Sequence, residues 1–455
     1  MSVVFTLLAT KSAGALSRLL GKGGGQAMPG LLAERIDPHL AGRLCAGLPK
    51  GVILVTGTNG KTTTTKLIAE SLALAGERVV TNATGSNLKR GVTSALIEAA
   101  KLSGRMDATV GLFEVDEANL RLLAPELKPK HIVVLNLFRD QLDRYGELDT
   151  TAALIGQGIA ATDARLHLNA DDPLVVSLAK YAKYPDLVTF FGIEGLPVNA
   201  ASGMQSAVDS DRCPICRTRF KYSRVFFSHI GHYRCPQGHF TRPQPSVVIT
   251  NVEQADIHGS TFTMAIGGRR TLVKYPLPGT YNLYNALAAV SAGSWFGISM
   301  ADLVKVLQDT QPAFGRFERV DLEGREIYLL LIKNPAGFSQ VVETFLISRG
   351  ASTVLFVIND LAADGRDVSW LWDVPLEHLA SRKLRALVSG TRATDMALRL
   401  RYAGLEGGLE ENLDAAIARF IRQTAPGETA YILPTYTAML EVRKLLSKLT
   451  RMAQV

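Results

Sequence analysis

The segment Gly57-Thr58-Asn59-Gly60-Lys61-Thr62 constrains this chain more than any other. It lies between a β-branched apolar run at residues 52–56 and a helical pattern at residues 62–75. Strand, glycine turn, lysine and helix in that order predict a phosphate-binding loop. Glycines let backbone N–H groups close around phosphate oxygens at the helix N-terminus, Lys61 neutralises β/γ charge, and Thr62 reaches Mg²⁺. The loop is a shortened form of the G-x-x-x-x-G-K-[ST] pattern, and its flanking elements separate it from a glycine turn beside a surface lysine.

A strand that feeds such a loop belongs in a parallel sheet. Further strands are predicted at residues 109–115, 131–137, 166–168 and 188–191, each separated by a helix-length stretch, which is the pattern of an α/β fold. The pattern breaks at about residues 203–245, where Cys, His, Arg and aromatic residues crowd together. Polar–apolar alternation then runs over residues 247–277, a helix over 282–296, and a second βα series from about 327, with strands at 354–358, 386–388 and 430–433. The expected organisation is an N-terminal helical segment (1–50), a central ATP-binding α/β domain (51–312) with an insert at about 205–245, and a smaller Rossmann-like α/β domain (315–455).

At 455 residues, with 47% hydrophobic and 20% charged, the chain has enough apolar material for ordinary cores, which excludes a disordered or fibrous class. No apolar run approaches the roughly 20 residues of a membrane-spanning helix. Lys11, Arg18 and Lys22 follow the apolar start, the reverse of a secretory signal, so a cytoplasmic protein is expected. The excess of 50 Lys+Arg over 42 Asp+Glu, +8, is too diffuse to choose among nucleic acid, lipid and phosphate partners.

Ligands in open α/β sheets gather at the carboxyl ends of the strands, and acidic residues stand there. Glu114, Asp116 and Glu117 close one strand, with Glu114 and Asp116 on one face by alternation; Asn136, Asp140 and Asp143 follow the next. Each cluster by itself reads as solvated loop carboxylates, but beside a phosphate loop Glu114 is the expected Mg²⁺ ligand. Cys213-Pro-Ile-Cys216 and Cys235 have ribbon-like spacing, and clustered cysteines in a cytosolic chain suggest a metal. Gly238 stands where a fourth cysteine is expected and His239 follows it, so a structural Cys₃His zinc site is plausible, with His232 competing as fourth ligand.

Residues 57–64 (GTNGKTTT), Glu114-Val-Asp-Glu117, residues 136–146 (NLFRDQLDRYG), Asn169-Ala-Asp171-Asp172-Pro173 and Tyr281-Asn282-Leu-Tyr-Asn285 resemble central-domain motifs of the Mur ligases. The CPIC insert, Lys333-Asn334-Pro335-Ala-Gly and residues 363–370 (ADGRDVSW) are similar to one branch of that family, the synthetase subunits of lipid II isoglutaminyl synthase, and the likeness runs over nearly the whole chain. It implies ATP-dependent amidation of the D-glutamate α-carboxyl of the lipid II stem peptide to D-isoglutamine, through an acyl phosphate. It also implies a site in which Gly57, Thr58, Asn59, Gly60, Lys61, Thr62, Thr63, Asn282, Asn285 and Arg316 bind ATP, and Thr62 and Glu114 hold Mg²⁺. Lys61 and Glu114 are then catalytic together with Asp367. Gln141 stands where many relatives carry a histidine.

A glutaminase needs an activated nucleophile, and Cys45 lies in no such context, so ammonia must come from a partner. The resemblance makes that partner a GatD-type class I glutaminase in a heterodimer, with Asp367 completing its Cys-His pair across the interface; capping around Ser369 is the competing role for Asp367. It also implies lipid II at the inner membrane surface, with a peripheral place at the cytoplasmic face. Two other functions compete: an amino-acid-adding Mur or folylpolyglutamate-type ligase, and a zinc-ribbon nucleic-acid-binding protein. The latter would use Arg212, Arg217, Arg219, Lys221, Arg224 and Arg234 interleaved with Tyr222, Phe226 and Tyr233. The ATP-site motifs outside the insert explain more of the chain, and no nucleic acid is expected.

Overall fold

A computed structural model describes residues 2–19, 28–82, 86–140, 148–196, 210–311, 317–347 and 353–453. Gln141, Asp143 and Arg316 lie outside the described residues. The strands are β1 (Gly51–Thr56), β2 (Val79–Thr81), β3 (Val110–Glu114), β4 (His131–Val134), β5 (Arg165–Asn169), β6 (Val188–Ile193), β7 (Lys221–Phe227), β8 (Ile230–Arg234), β9 (Val247–Asp256), β10 (Gly259–Ile266) and β11 (Arg269–Tyr275). They continue with β12 (Phe317–Leu322), β13 (Arg325–Leu330), β14 (Thr353–Val357), β15 (Arg385–Ser389), β16 (Gly407–Leu409) and β17 (Thr429–Pro434).

Nine strands form one sheet in the order β11-β10-β9-β6-β5-β4-β1-β3-β2. It is parallel from β9 to β2 and antiparallel where β9, β10 and β11 meander. Both faces of β1 are covered: Ile53 and Val55 enter a core with the helices Lys61–Leu74 and Thr280–Gly293, and Val52 and Leu54 enter a second core with Leu7, Leu40 and Leu44 of the N-terminal helices. That two-sided burial is why β1 reads as an unbroken apolar run. Helices Val3–Leu19, Met28–Ile36 and Leu40–Cys45 precede this sheet.

Six strands form a second sheet in the order β12-β13-β17-β14-β15-β16, parallel except for the β12–β13 hairpin. Its cores again divide by alternation, Tyr328, Leu330, Val354 and Phe356 on one face and Ile327, Leu329, Leu355 and Val357 on the other. Ile257, in the β9–β10 turn, is buried in the first of these cores, which joins the two sheets' bodies. β7 and β8 form a separate two-stranded ribbon.

One expected strand is shorter than its apolar pattern. Residues 131–137 predict a strand through Leu137, but β4 stops at Val134. The backbone beyond it is claimed by the phosphate loop, since Asn136 O accepts from Thr58 N at 3.0 Å and Phe138 N donates to Thr58 Oγ1 at 3.0 Å. Among the described residues, no helix is long and apolar enough to cross a membrane.

Candidate active site

β1 delivers the chain to Gly57 at φ +126 and Gly60 at φ +92, values that favour glycine. A Cβ on Gly60 would fall 2.1 Å from Asn285 Oδ1, so only glycine lets the helix Thr280–Gly293 press this close to the loop. Helix Lys61–Leu74 begins without a side-chain cap, which leaves its first N–H groups facing the loop's concavity. Asn136 holds the loop from the β4 side: its Oδ1 accepts from Asn59 N at 2.9 Å and its Nδ2 donates to Asn59 O at 3.0 Å.

Lys61 is buried and donates to Gly57 O at 2.6 Å and to Glu117 Oε1 at 3.2 Å. Burial opposes its charge, but Glu117, with Asp116, Glu114 and Asp140 behind it, more than reverses this and holds the ammonium above the ordinary lysine value. Glu114 Oε2 is buried and has no hydrogen-bond partner among the described residues, a vacant hard donor of the kind a divalent cation takes. Asp116 instead turns into its own chain, where its carboxylate accepts from Ala118 N and Asn119 Nδ2, both at 3.2 Å. Asp140 binds Lys333 Nζ through Oδ2 at 2.8 Å.

The second domain closes the site. Asn334 and Asn59 exchange side-chain hydrogen bonds, Nδ2 to Oδ1, of 2.9 and 3.3 Å, and Lys333 Nζ also donates to Thr58 O at 3.3 Å. Arg139 reaches Asp373 at 3.3 Å. Between the domains lies a cavity of about 1050 Å³, counting its open mouth. Asn59, Gly60, Thr62, Thr63, Asn282 and Asn285 line its central-domain side, Lys333, Ala336, Gly337 and Gln340 its far side, and Phe138, Phe227, Tyr281 and Tyr284 supply aromatic surface. Asn282 and Asn285 are linked to each other at 3.0 Å. Phosphate donors at one end and aromatic walls at the other suit a nucleotide.

Asp367 is half-buried on the loop after β14 and accepts from Ser369 N through Oδ1 at 2.8 Å, the capping contact. Of the residues singled out from sequence, the structure thus gathers Gly57 to Thr63, Glu114, Asn282 and Asn285 in one place, whereas the contact it shows for Asp367 is the local one with Ser369 N. Phe138, Phe227, Lys333 and Asn334 are contributors without a role assigned from sequence, although Phe138 and Lys333-Asn334 stand within the motifs that carry the family resemblance.

The insert carries a second cluster. One ligand-type atom each from Cys213, Cys216, Cys235 and His239 lies within 4.8 Å of the others. His232 is elsewhere, its Nε2 2.7 Å from Ile193 O. The Cys216 thiol is pulled down to about 6, first by the Thr218 side chain and then by His239, while burial pushes Cys213 up. Three thiols and an imidazole at this separation are the donor set of a tetrahedral soft-metal site. Three of the insert's arginines are engaged within the chain: Arg217 with Asp149 at 3.1 Å, Arg219 with Asp211 at 2.9 Å and Arg224 with Glu194 O at 2.7 Å.

The sequence matches the family description "Mur ligase middle domain" over residues 55–235 and "MurT ligase C-terminal" over residues 331–439. It is 31% identical over 439 residues to the lipid II isoglutaminyl synthase (glutamine-hydrolyzing) subunit MurT of Staphylococcus aureus strain COL, covering 95% of each chain. Identity to the protein of that name from Streptococcus pneumoniae is 31% over 437 residues, covering 95% of this chain and 94% of the relative. Among solved structures, a pseudomurein peptide ligase type C from Methanothermus fervidus superposes with TM-score 0.67 at 22% identity, covering 88% of this chain and 79% of the other. MurF ligase from Thermotoga maritima in complex with ADP gives 0.63 at 14% identity, covering 92% and 85%. At these identities the two structures speak for the fold.

Proposed function

The chain belongs to the MurT family of Mur-type ligases, and on that premise we propose that it is the synthetase subunit of a lipid II isoglutaminyl synthase. It amidates the α-carboxyl of D-glutamate in the lipid II stem peptide at the expense of ATP, with ammonia from a class I glutaminase partner of the GatD type. The observation that carries this reading is the 31% identity running end to end, combined with a phosphate loop clamped by the family's C-terminal domain at Asn334.

A carboxylate is a poor electrophile. One of its oxygens attacks the γ-phosphorus of ATP, ADP leaves, and the acyl phosphate that results is attacked at carbon by ammonia, with loss of a proton and inorganic phosphate. The protein's part in the first step is positioning and charge stabilisation. Backbone N–H groups of residues 57–62 and the Lys61 ammonium take the triphosphate, Thr62 and Glu114 are the residues that would hold Mg²⁺, and Asn282, Asn285 and Arg316 attend the nucleotide. Bound there, Mg²⁺ supplies positive charge to the transferring phosphoryl oxygens.

Cys213, Cys216, Cys235 and His239 would hold Zn²⁺ as a closed, structural site in a zinc-ribbon insert at about 205–245. The working division is 1–50 for the N-terminal helices, 51–312 for the central domain and 315–455 for the C-terminal domain. Asp367 faces the partner and orients its histidine, and the protein works at the cytoplasmic face of the membrane. The test is mass spectrometry of lipid II incubated with the purified chain, ATP, Mg²⁺ and ammonium. The carboxyl-to-amide mass change that vanishes in Lys61→Met is expected; a mass gain equal to an amino-acid residue would move the protein to the amino-acid-adding ligases, and no change would refute the proposal.

A further inference from the structure

The insert does not stop at its cluster of thiols. β7 and β8 turn at residues 228–229, with Ser228 at φ +48, and the tip of this hairpin reaches the interdomain cavity. Phe227 lines that cavity, its ring 5.8 Å from Phe138 and 6.0 Å from Tyr284, two other lining residues. His229 is fully buried behind them, its ring 5.0 Å from Phe138 and its Nε2 3.4 Å from Asp172 Oδ1. Asp172 Oδ2 also accepts from Leu137 N at 2.8 Å, so one carboxylate adjoins the hairpin tip and holds the segment that carries Phe138.

The root of the hairpin is fixed from the other side. Cys213 and Cys235 pack with Phe220 and Tyr233 in a small core of their own. Tyr233 donates to Ala170 O at 3.3 Å, and Gly231 N donates to Asp171 O at 2.9 Å. The buried Asp171 carboxylate accepts from Arg242, which follows the cluster in sequence, and from Tyr284 at 2.7 Å on the cavity side. An unbroken run of contacts thus leads from the Cys/His cluster to the cavity wall. A two-stranded hairpin has little stability of its own, so the position of its tip depends on what anchors its root.

We infer that Phe227, at the tip of this hairpin, forms part of the wall that receives the nucleotide's base, and that the Cys/His cluster sets nucleotide affinity by fixing the root of the hairpin. The inference rests on the nucleotide-binding reading of the cavity and adds to it a positioning role for the insert. Phe227 presents a flat apolar face to the base; residues 57–62 take the phosphates. The two halves of the ligand are therefore separable.

The experiment is calorimetric titration of the whole chain with a non-hydrolysable ATP analogue and, separately, with inorganic tripolyphosphate, both with Mg²⁺. For Phe227→Ala the ATP analogue is expected to bind about fivefold or more weakly, the range for loss of one aromatic stacking partner. Phe227→Leu recovers part of the loss, and tripolyphosphate binds both variants as it does the wild type. Cys216→Ser, or wild type treated with chelator, dialysed free of it and returned to Mg²⁺ before the same titration, weakens the ATP analogue and spares tripolyphosphate. Unchanged affinity for the analogue in a folded Phe227→Ala overturns the wall; unchanged affinity after chelation and in Cys216→Ser overturns the coupling. A wild type that binds neither ligand would refute the nucleotide reading itself, an outcome distinct from the other two.

Discussion

Asn334 has two jobs that a pair of substitutions separates. Its Oδ1 accepts from Gly337 N at 2.8 Å, capping the helix Pro335–Val341, and its amide exchanges two hydrogen bonds with Asn59 of the phosphate loop. Serine at this position still caps a helix but is too short to reach Asn59. Asn334→Ser therefore removes two partly buried hydrogen bonds worth about 1 kcal/mol each net, and the closed arrangement loses about 2 kcal/mol. That is roughly a 30-fold change in the open–closed equilibrium, read as a rise in the KM for ATP of up to that factor. Asn334→Ala loses the cap as well, about 1 kcal/mol more, and should melt a few degrees below the serine variant while matching its KM. Steady-state kinetics and thermal melts on the two variants decide the matter. A wild-type KM in Asn334→Ser would refute the clamp, and identical melting of the two variants would refute the cap.

Gly60→Ala should abolish nucleotide binding, because its Cβ would meet Asn285 Oδ1 at 2.1 Å from a backbone at φ +92; a titration showing wild-type affinity would contradict this. His131 and His167 lie 3.1 Å apart inside the central domain, and burial, with Arg165 and Lys130 in support, holds His131 down at about 4. The native state keeps this imidazole neutral while the unfolded chain protonates it near 6.5, so stability is full above about pH 6.5 and falls as pH drops towards 4. The loss is on the order of 3 kcal/mol for His131, and His131→Asn should make the fall in denaturation midpoints across that window shallower, with buried His167, also held well below its ordinary value, keeping the remainder. Asp367→Asn keeps an oxygen for Ser369 N but loses the charge; it should lose glutamine-dependent amidation with the partner present and retain ammonium-dependent amidation, and equal loss of both would sink the interface role.

The phosphate loop and the parallel sheet were legible because their signals are local: glycines where φ is positive, a lysine at a helix start, and strands buried on both faces. Length limited the rest. β2 and β16, three residues each, are too short to show a period. The reach of Asn334 to Asn59 spans 275 positions, and no local pattern encodes it. Glu117 was visible as one of several acids, but its pairing with Lys61 follows from the short 3₁₀ turn Glu117–Asn119 that swings it back over the loop, with Asp116 spent on capping that turn. Cysteine spacing pointed to His232 or His239 as fourth donor. The choice between them depended on Ile193 O, which takes His232, and strand packing of that kind is not written in spacing. The wall contributed by Phe227 was hidden for the opposite reason: one phenylalanine in an aromatic-rich hairpin looks like any other until the tip is seen at the cavity.

The central claim is that the substrate carboxyl is activated by phosphoryl transfer at the loop built around Lys61. Its most direct measurement uses lipid II with both oxygens of the D-glutamate α-carboxyl replaced by heavy oxygen, turned over with ATP, Mg²⁺ and ammonium, followed by mass analysis of the inorganic phosphate. The acyl-phosphate route carries one labelled oxygen into each phosphate released per amide formed. Amide formation with unlabelled phosphate would contradict it.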